Sequence, residues 1–204
     1  MTAPNRQAER TERSTEALLD AAAELIAEGG LSTMTFNALG VRAGYSRGLA
    51  TARFGSKRGL VDALIHRIWR RLRDRDVLPL AQRDHGLDEI LVLIDAIREQ
   101  AATERRDMRA MFALTFEALG PDESLRDRMV EFTTSMRADL AAALRRGVAD
   151  GSVRDGIDPD LTAVLIASTL QGLAYEWLLQ PDAVDLDRAY AALGDLLRDH
   201  LAPA

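Results

Sequence analysis

The chain has 204 residues, of which 47% are hydrophobic, 5% aromatic and none cysteine. That suits one domain, or a small domain fused to a larger one, with ample apolar surface for a core. The lack of cysteine excludes disulfides, thiolate metal sites and cysteine nucleophiles and fits a reducing cytoplasm, while a net charge of −6 taken alone argues against a polyanionic partner. The N-terminus has no apolar signal-peptide region and runs such as 163–167 are too short to cross a bilayer, so a cytoplasmic protein without a membrane partner is expected.

Helical periodicity dominates and no strand-like alternation persists. Ser14 or Thr15 can cap a first helix, with Leu18, Ala22 and Leu25 on one face, and Gly29-Gly30 ends it. Thr35 starts a short helix to about Ala43, Gly44 breaks it, and Ser46 opens another to about Arg53. Ser56 caps a longer helix through Leu64 and Leu72 that ends near Pro79. Further helices are expected over about 87–103, 106–119, 123–149, 160–180 and 186–201. Asp158-Pro159 makes the start of the eighth. The expectation is an all-α fold of about nine helices.

Charge is unevenly distributed. Residues 1–58 carry 8 basic and 6 acidic side chains, a net of +2; the remainder carries 18 and 26, a net of −8. No acidic residue lies between Glu28 and Asp62, where Arg42, Arg47, Arg53, Lys57 and Arg58 occur. One end can therefore face phosphate while the body repels it. Lys57 is the only lysine in the chain. Arg6, Arg10 and Arg13 lie just upstream. They read equally as an arm on the DNA backbone or minor groove and as a disordered tail.

Inside the acid-free stretch two short helices meet at Gly44 with almost no loop. A helix-turn-helix needs this arrangement: the first helix braces the second, which enters the major groove N-terminus first. Ser46 opens the second helix, so backbone N–H groups there can meet a phosphate. Small residues Gly48, Ala50 and Ala52 let it sit close to its brace or to DNA.

The segment Leu18 to Leu60 resembles the DNA-binding domain of the TetR family of repressors. Ala21, Ala22, Glu28, Gly29, Thr35, Leu39, Ala43, Gly44, Ser46, Gly48, Phe54, Ser56 and Lys57 match the family pattern. Three positions depart from it: Gly40 replaces the usual Ala, Thr51 the usual Tyr, and Arg53 a common His. The resemblance implies a DNA-binding helix-turn-helix domain over 1–58 and a helical effector-binding and dimerisation domain over 59–204. It implies Tyr45, Arg47 and Leu49 at base edges, Arg47 preferring guanine O6 and N7. Thr35, Ser46, Thr51, Arg53 and Lys57 are then the phosphate contacts, and Phe54 is core.

By the same resemblance the protein is a homodimeric repressor, released from a palindromic double-stranded operator by a small, mostly apolar ligand. One stripe of the dimer interface is Leu161, Leu165, Ser168, Gly172, Tyr175 and Leu179; its counterpart is Leu186, Tyr190, Leu193 and Leu197. The ligand lining is assigned to Trp69, Met108, Met111, Phe112, Thr115, Phe116, Phe132, Met136, Gln171 and Tyr175, with Trp177 and Thr133 beside them. Plain core is the competing reading for each. An effector-independent or activating DNA binder is the alternative function. Enzyme chemistry is not expected: His66, His85 and His200 are scattered without metal-ligand spacing, no phosphate loop or nucleophile elbow occurs, and no cofactor or metal is implied.

Overall fold

Local capping chemistry sets the N-terminal helices. Thr35 Oγ1 accepts from Ala38 N at 3.1 Å, Ser46 Oγ from Leu49 N at 3.1 Å and Ser56 Oγ from Gly59 N at 3.0 Å. Each hydroxyl satisfies an amide that the first turn of a helix leaves unpaired. Gly44, with φ 74°, ends the intervening helix in the left-handed region, which costs glycine no Cβ clash.

The structure is a computed structural model that describes residues 6–72 and 85–203. Among the described residues it consists of nine α-helices and no strand: α1 (Arg6–Thr33), α2 (Phe36–Ala43), α3 (Arg47–Phe54), α4 (Lys57–Leu72), α5 (Gly86–Thr103), α6 (Arg105–Glu117), α7 (Glu123–Asp150), α8 (Pro159–Leu179) and α9 (Leu186–Leu201). The expected end of the fourth helix near Pro79 lies outside the described residues. None of the described helices is long and apolar enough to cross a membrane.

The start of α1 differs from expectation. The helix begins at Arg6, so Ser14 and Thr15 lie inside it, and both hydroxyls donate to the Thr11 carbonyl, at 2.9 and 2.8 Å. At Gly29-Gly30 the backbone leaves the helical region, with Gly30 at φ 75°, so the regular helix ends at the glycine pair as expected and only a short turn continues to Thr33. The Glu117 carboxylate accepts from Leu31 N there at 2.7 Å, a partner 86 residues away.

The chain divides into two compact units. One holds the residues up to Trp69 together with Arg106–Met129; the other holds Arg70–Arg105 and the residues from Val130 onward. The first unit packs Leu18, Ala22, Ile26, Met34, Leu39, Ala50, Leu60, Leu64 and Leu114 into its core. In the second, α5 packs on α9 and α8 on α9, around Ile90, Ile94, Leu140, Leu144, Ile166, Leu170 and Leu201. The Tyr190 hydroxyl donates to the Leu170 carbonyl at 3.1 Å, and burial pushes its pKa up.

An ion-pair ladder binds the first unit together. Glu16, Asp20, Glu24 and Glu28 recur every four residues along α1, so they form one ridge. Arginines from three other helices bridge successive rungs. Arg67 of α4 meets Glu16 at 3.7 Å and Asp20 at 2.7 Å. Arg106 of α6 meets Asp20 at 2.6 Å and Glu24 at 3.5 Å. Arg42 of α2 meets Glu24 at 3.2 Å and Glu28 at 2.9 Å. Arg67 also donates to Asp107 at 3.0 Å, and this pair is buried, with side chains 3% and 1% exposed.

Exposure decides what each rung is worth. The Arg42 pairs are solvated, so water and salt screen them and each contributes little. Removing Asp107 leaves the buried Arg67 guanidinium compensated only by the part-exposed Asp20 and Glu16, at a cost of up to about 3–5 kcal/mol. Asp107→Ala is therefore expected to lower unfolding free energy by up to about 3–5 kcal/mol in urea titration. The double change Arg67→Met with Asp107→Leu should recover most of that loss. A loss below about 1 kcal/mol for the single change would show the pair to be solvated.

Candidate nucleic-acid interface

The helix-turn-helix is built by α2 and α3. Gly40 sits where the two backbones come together: a Cβ there would stand 2.8 Å from Tyr45 O and 3.0 Å from Arg47 N. Tyr45 N donates to Gly40 O at 2.8 Å across the same contact. Sequence reasoning sees Gly40 as a helix cost of about 1 kcal/mol. The geometry gives it a positive role, because any larger residue must push the start of α3 away.

Ala50 of α3 is fully buried against the unit, and Leu49, Arg53 and Phe54 are half-buried. Arg47, Gly48, Thr51 and Ala52 are exposed on the opposite side. Tyr45 and Ser46 at the helix start, Thr35 before α2 and Lys57 at the start of α4 are exposed as well. Thr35 and Ser46 cap by accepting, so each hydroxyl proton can still be donated to a phosphate oxygen.

Two arginines of the acid-free stretch are engaged within the protein. Arg42 is held by Glu24 and Glu28, with its own pKa raised and that of Glu28 lowered by their hydrogen bond. Arg53 Nη2 donates to Ser14 Oγ at 3.2 Å. Ser14 is itself buried and takes the place the sequence assigned to a helix cap. Its pairing with Arg53, 39 residues away, has no local signal.

The expected ligand residues divide between the two units. Trp69, Met108, Met111, Phe112, Thr115 and Phe116 belong to the first; Phe132, Met136, Gln171 and Tyr175 belong to the second. Met108, Met111, Phe112 and Thr115 are half-buried, and the Phe112 and Phe116 rings lie 6.3 Å apart. Phe116 is 51% exposed. Met136 is buried core and Phe132 half-buried. Gln171 and Tyr175 are exposed on α8, beside the buried Leu170 and Ala174.

A cleft of about 470 Å³ opens in the second unit beside Arg98, Ala101, Trp177, Asp182, Asp185 and Asp187. The Arg105 guanidinium lies 4.8 Å from the Trp177 ring centre. Sequence reading missed this cleft, because its walls come from α5, the end of α8 and the turn into α9. All three histidines are exposed, His200 Nε2 lying 3.1 Å from Arg154 Nη2.

The α8 stripe is exposed: Leu161 by 57%, Leu165 by 59% and Leu179 by 57%, with Ser168 and Gly172 between them. The α9 stripe is corrected. Leu186, Tyr190 and Leu197 are buried in their own unit, and Leu193 is half-buried. Periodicity groups these four on one face, and that face meets the unit's own core. The outward apolar residue of α9 is Leu196.

The sequence pattern described as "Bacterial regulatory proteins, tetR family" matches residues 18–64. That described as "BetI-type transcriptional repressor, C-terminal" matches residues 87–202, more than half the chain. The chain belongs to the TetR family of transcriptional regulators. The HTH-type transcriptional regulator BetI of Rhizobium meliloti (strain 1021) is 25% identical over 91% of this chain and 88% of that protein. A putative TetR-family regulator from Rhodococcus sp. superimposes with a TM-score of 0.80 at 24% identity, covering 94% of this chain and all of that one. SmeT of Stenotrophomonas maltophilia, in its triclosan complex, gives a TM-score of 0.77 at 24% identity over 94% and 93% of the two chains.

Within this TetR-family fold, Gly40 offers a direct test of the α2–α3 contact. Gly40→Ala should lower the unfolding midpoint modestly, since crowding against backbone costs about 1–3 kcal/mol and better helix propensity returns only about 1 kcal/mol. It should weaken DNA binding several-fold by displacing the start of α3. Unchanged affinity in fluorescence anisotropy would show that the turn yields without moving that helix.

Proposed function

We propose that this TetR-family regulator is a repressor that binds a palindromic operator as a homodimer and leaves it when a small, mostly apolar effector binds. The observation that carries the reading is the outward face of α3. Arg47 and Thr51 project from it, capped by Ser46 and followed by Lys57, within a stretch free of carboxylates. Arg47, Tyr45 and Leu49 are the proposed base contacts, Arg47 first because it is exposed and Leu49 last because it is half-buried. Thr35, Ser46, Thr51 and Lys57 are the proposed phosphate contacts. Arg53 joins them through whichever amine groups Ser14 leaves available.

Homodimerisation is supported by α8, which carries apolar residues on both faces. A helix apolar all round is ordinarily buried, and among the described residues the stripe from Leu161 to Leu179 is left uncovered. Among similar proteins, SmeT is described as the repressor of a multidrug efflux pump and was solved with triclosan. Those descriptions favour repression and an apolar effector. Met108, Met111 and Phe112 of α6 are the effector contacts to test first, by thermal shift against a metabolite panel; no shift with any apolar compound favours the effector-independent alternative.

Release follows from geometry. Two recognition helices in a dimer must match roughly 34–36 Å of B-DNA. An effector that shifts α4, which begins at Lys57, changes that spacing, and effector and operator affinities are then reciprocally coupled. The protein acts in the cytoplasm, and no residue is assigned a catalytic role.

Arg47→Ala should weaken operator binding and relax specificity at one or two base pairs, by about 1–3 kcal/mol. Lys57→Ala should weaken all sequences alike and flatten the salt dependence. A mobility-shift salt titration in which neither change mattered would remove α3 from the groove. Gly172 has open space where a Cβ would stand, so Gly172→Arg does not clash within its own chain. It should yield monomers in sedimentation; an intact dimer would move the interface off α8.

A further inference from the structure

Arg6, Arg10 and Arg13 have no role in the helix-turn-helix, and in the structure they form neither a loose arm nor a tail. They belong to α1, which is helical from Arg6. At about 100° per residue the three fall on one stripe about 60° wide, and all are exposed. Glu9, Glu12 and Glu16 occupy the adjoining strip. Glu9 lies 4.0 Å from Arg13, between side chains 45% and 75% exposed, a pairing that water and salt largely screen.

The stripe leads to the recognition helix. Arg6, Arg10 and Ser14 make one i, i+4 ridge. Ser14 is the point where that ridge meets Arg53 of α3, at 3.2 Å. Before Ser14 every residue from Arg6 is exposed or half-exposed, so protein packing does not claim this face. From Arg6 to Arg13 the helix rises about 10 Å. Because a strand winds around the duplex axis, its phosphates stand further apart than the roughly 3.4 Å of axial rise between them, and that length reaches about two of them.

We propose that the first two turns of α1 form a rigid phosphate-binding strut. Arg6, Arg10 and Arg13 lie along the DNA backbone just outside the groove segment entered by α3 and lengthen the footprint of each half-site. The partner is duplex DNA, indicated by charge and by continuity with the α3 face. The strut rests on the reading of α3 as the recognition helix.

The test uses the full-length protein and a duplex selected on it from a randomised pool. Arg6, Arg10 and Arg13 are changed together to Gln, and separately together to Lys. Salt titration of the Gln variant should show a slope of log K against log salt shallower by about 0.9 for each phosphate that is no longer neutralised. The ratio of affinities for the selected and a scrambled duplex should stay the same, because the phosphate backbone carries no sequence information. The Lys variant should keep the wild-type slope. Trimming base pairs outside the half-sites should weaken the wild type and leave the Gln variant indifferent. A wild-type slope in the Gln variant, with helicity retained by circular dichroism, overturns the strut. If Arg47→Ala still weakens binding and relaxes specificity, α3 keeps its assignment; if Arg47→Ala and Lys57→Ala also do nothing, the recognition helix falls with the strut.

Discussion

The carboxylate ridge of α1 is the constraint on which the DNA-reading unit depends. Four acids at four-residue intervals present a straight row of charge, and three arginines from α2, α4 and α6 fill the gaps between them. The three helices approach α1 from different parts of the sequence, so the ridge fixes all of them against one ruler. Only the innermost pair, Arg67 with Asp107, is dry enough to be strong. The outer rungs at Arg42 are solvated and weak singly, and they tie the end of α2 to the same row while buried Leu18, Ala22 and Leu39 supply the packing. Because α3 rests on α2 through Gly40, the position of the recognition face follows from the same row.

This arrangement also explains how the unit can combine an acidic helix with a DNA-binding face. The acids of the ridge are turned toward arginines of their own unit, and the stretch from α2 to the start of α4 presents none. Arg42 belongs to that stretch in sequence but is used inward. The positive charges left outward are Arg47, Lys57 and Arg58, joined by the stripe at the start of α1. A net charge of −6 is therefore compatible with a polyanionic partner, since charge placement outweighs the total.

Determinants acting within about four residues were legible. Thr35, Ser46, Ser56 and Gly44 announce their helix ends because capping and left-handed backbone are local, and the order of nine helices follows from apolar periodicity. Pairings between distant segments were not. The ridge of acids on α1 is visible as a repeat, yet its partners lie 47 and 86 residues away. Gly40 looks like a weakness when only its own helix is considered; the approach of α3 gives it a purpose. The α9 stripe shows the other limit. Leu186, Tyr190, Leu193 and Leu197 share a face by spacing, but spacing does not say whether that face meets the same chain or another. The apolar residues of α6 and α8 carry the same ambiguity, because spacing does not say which side of α8 the core occupies.

The single lysine has a consequence outside recognition itself. Lys57 stands exposed at the start of α4, and every other basic side chain that carries a fixed charge is arginine. Amine-directed chemistry, whether a fluorophore ester, an acylating agent or a cross-linker, finds one side chain here besides the chain's own terminus. That side chain sits on the face assigned to DNA. The protein thus carries a built-in address for a probe: bound duplex should shield Lys57 from such reagents, and the rate of its modification would report occupancy directly, without any engineered label.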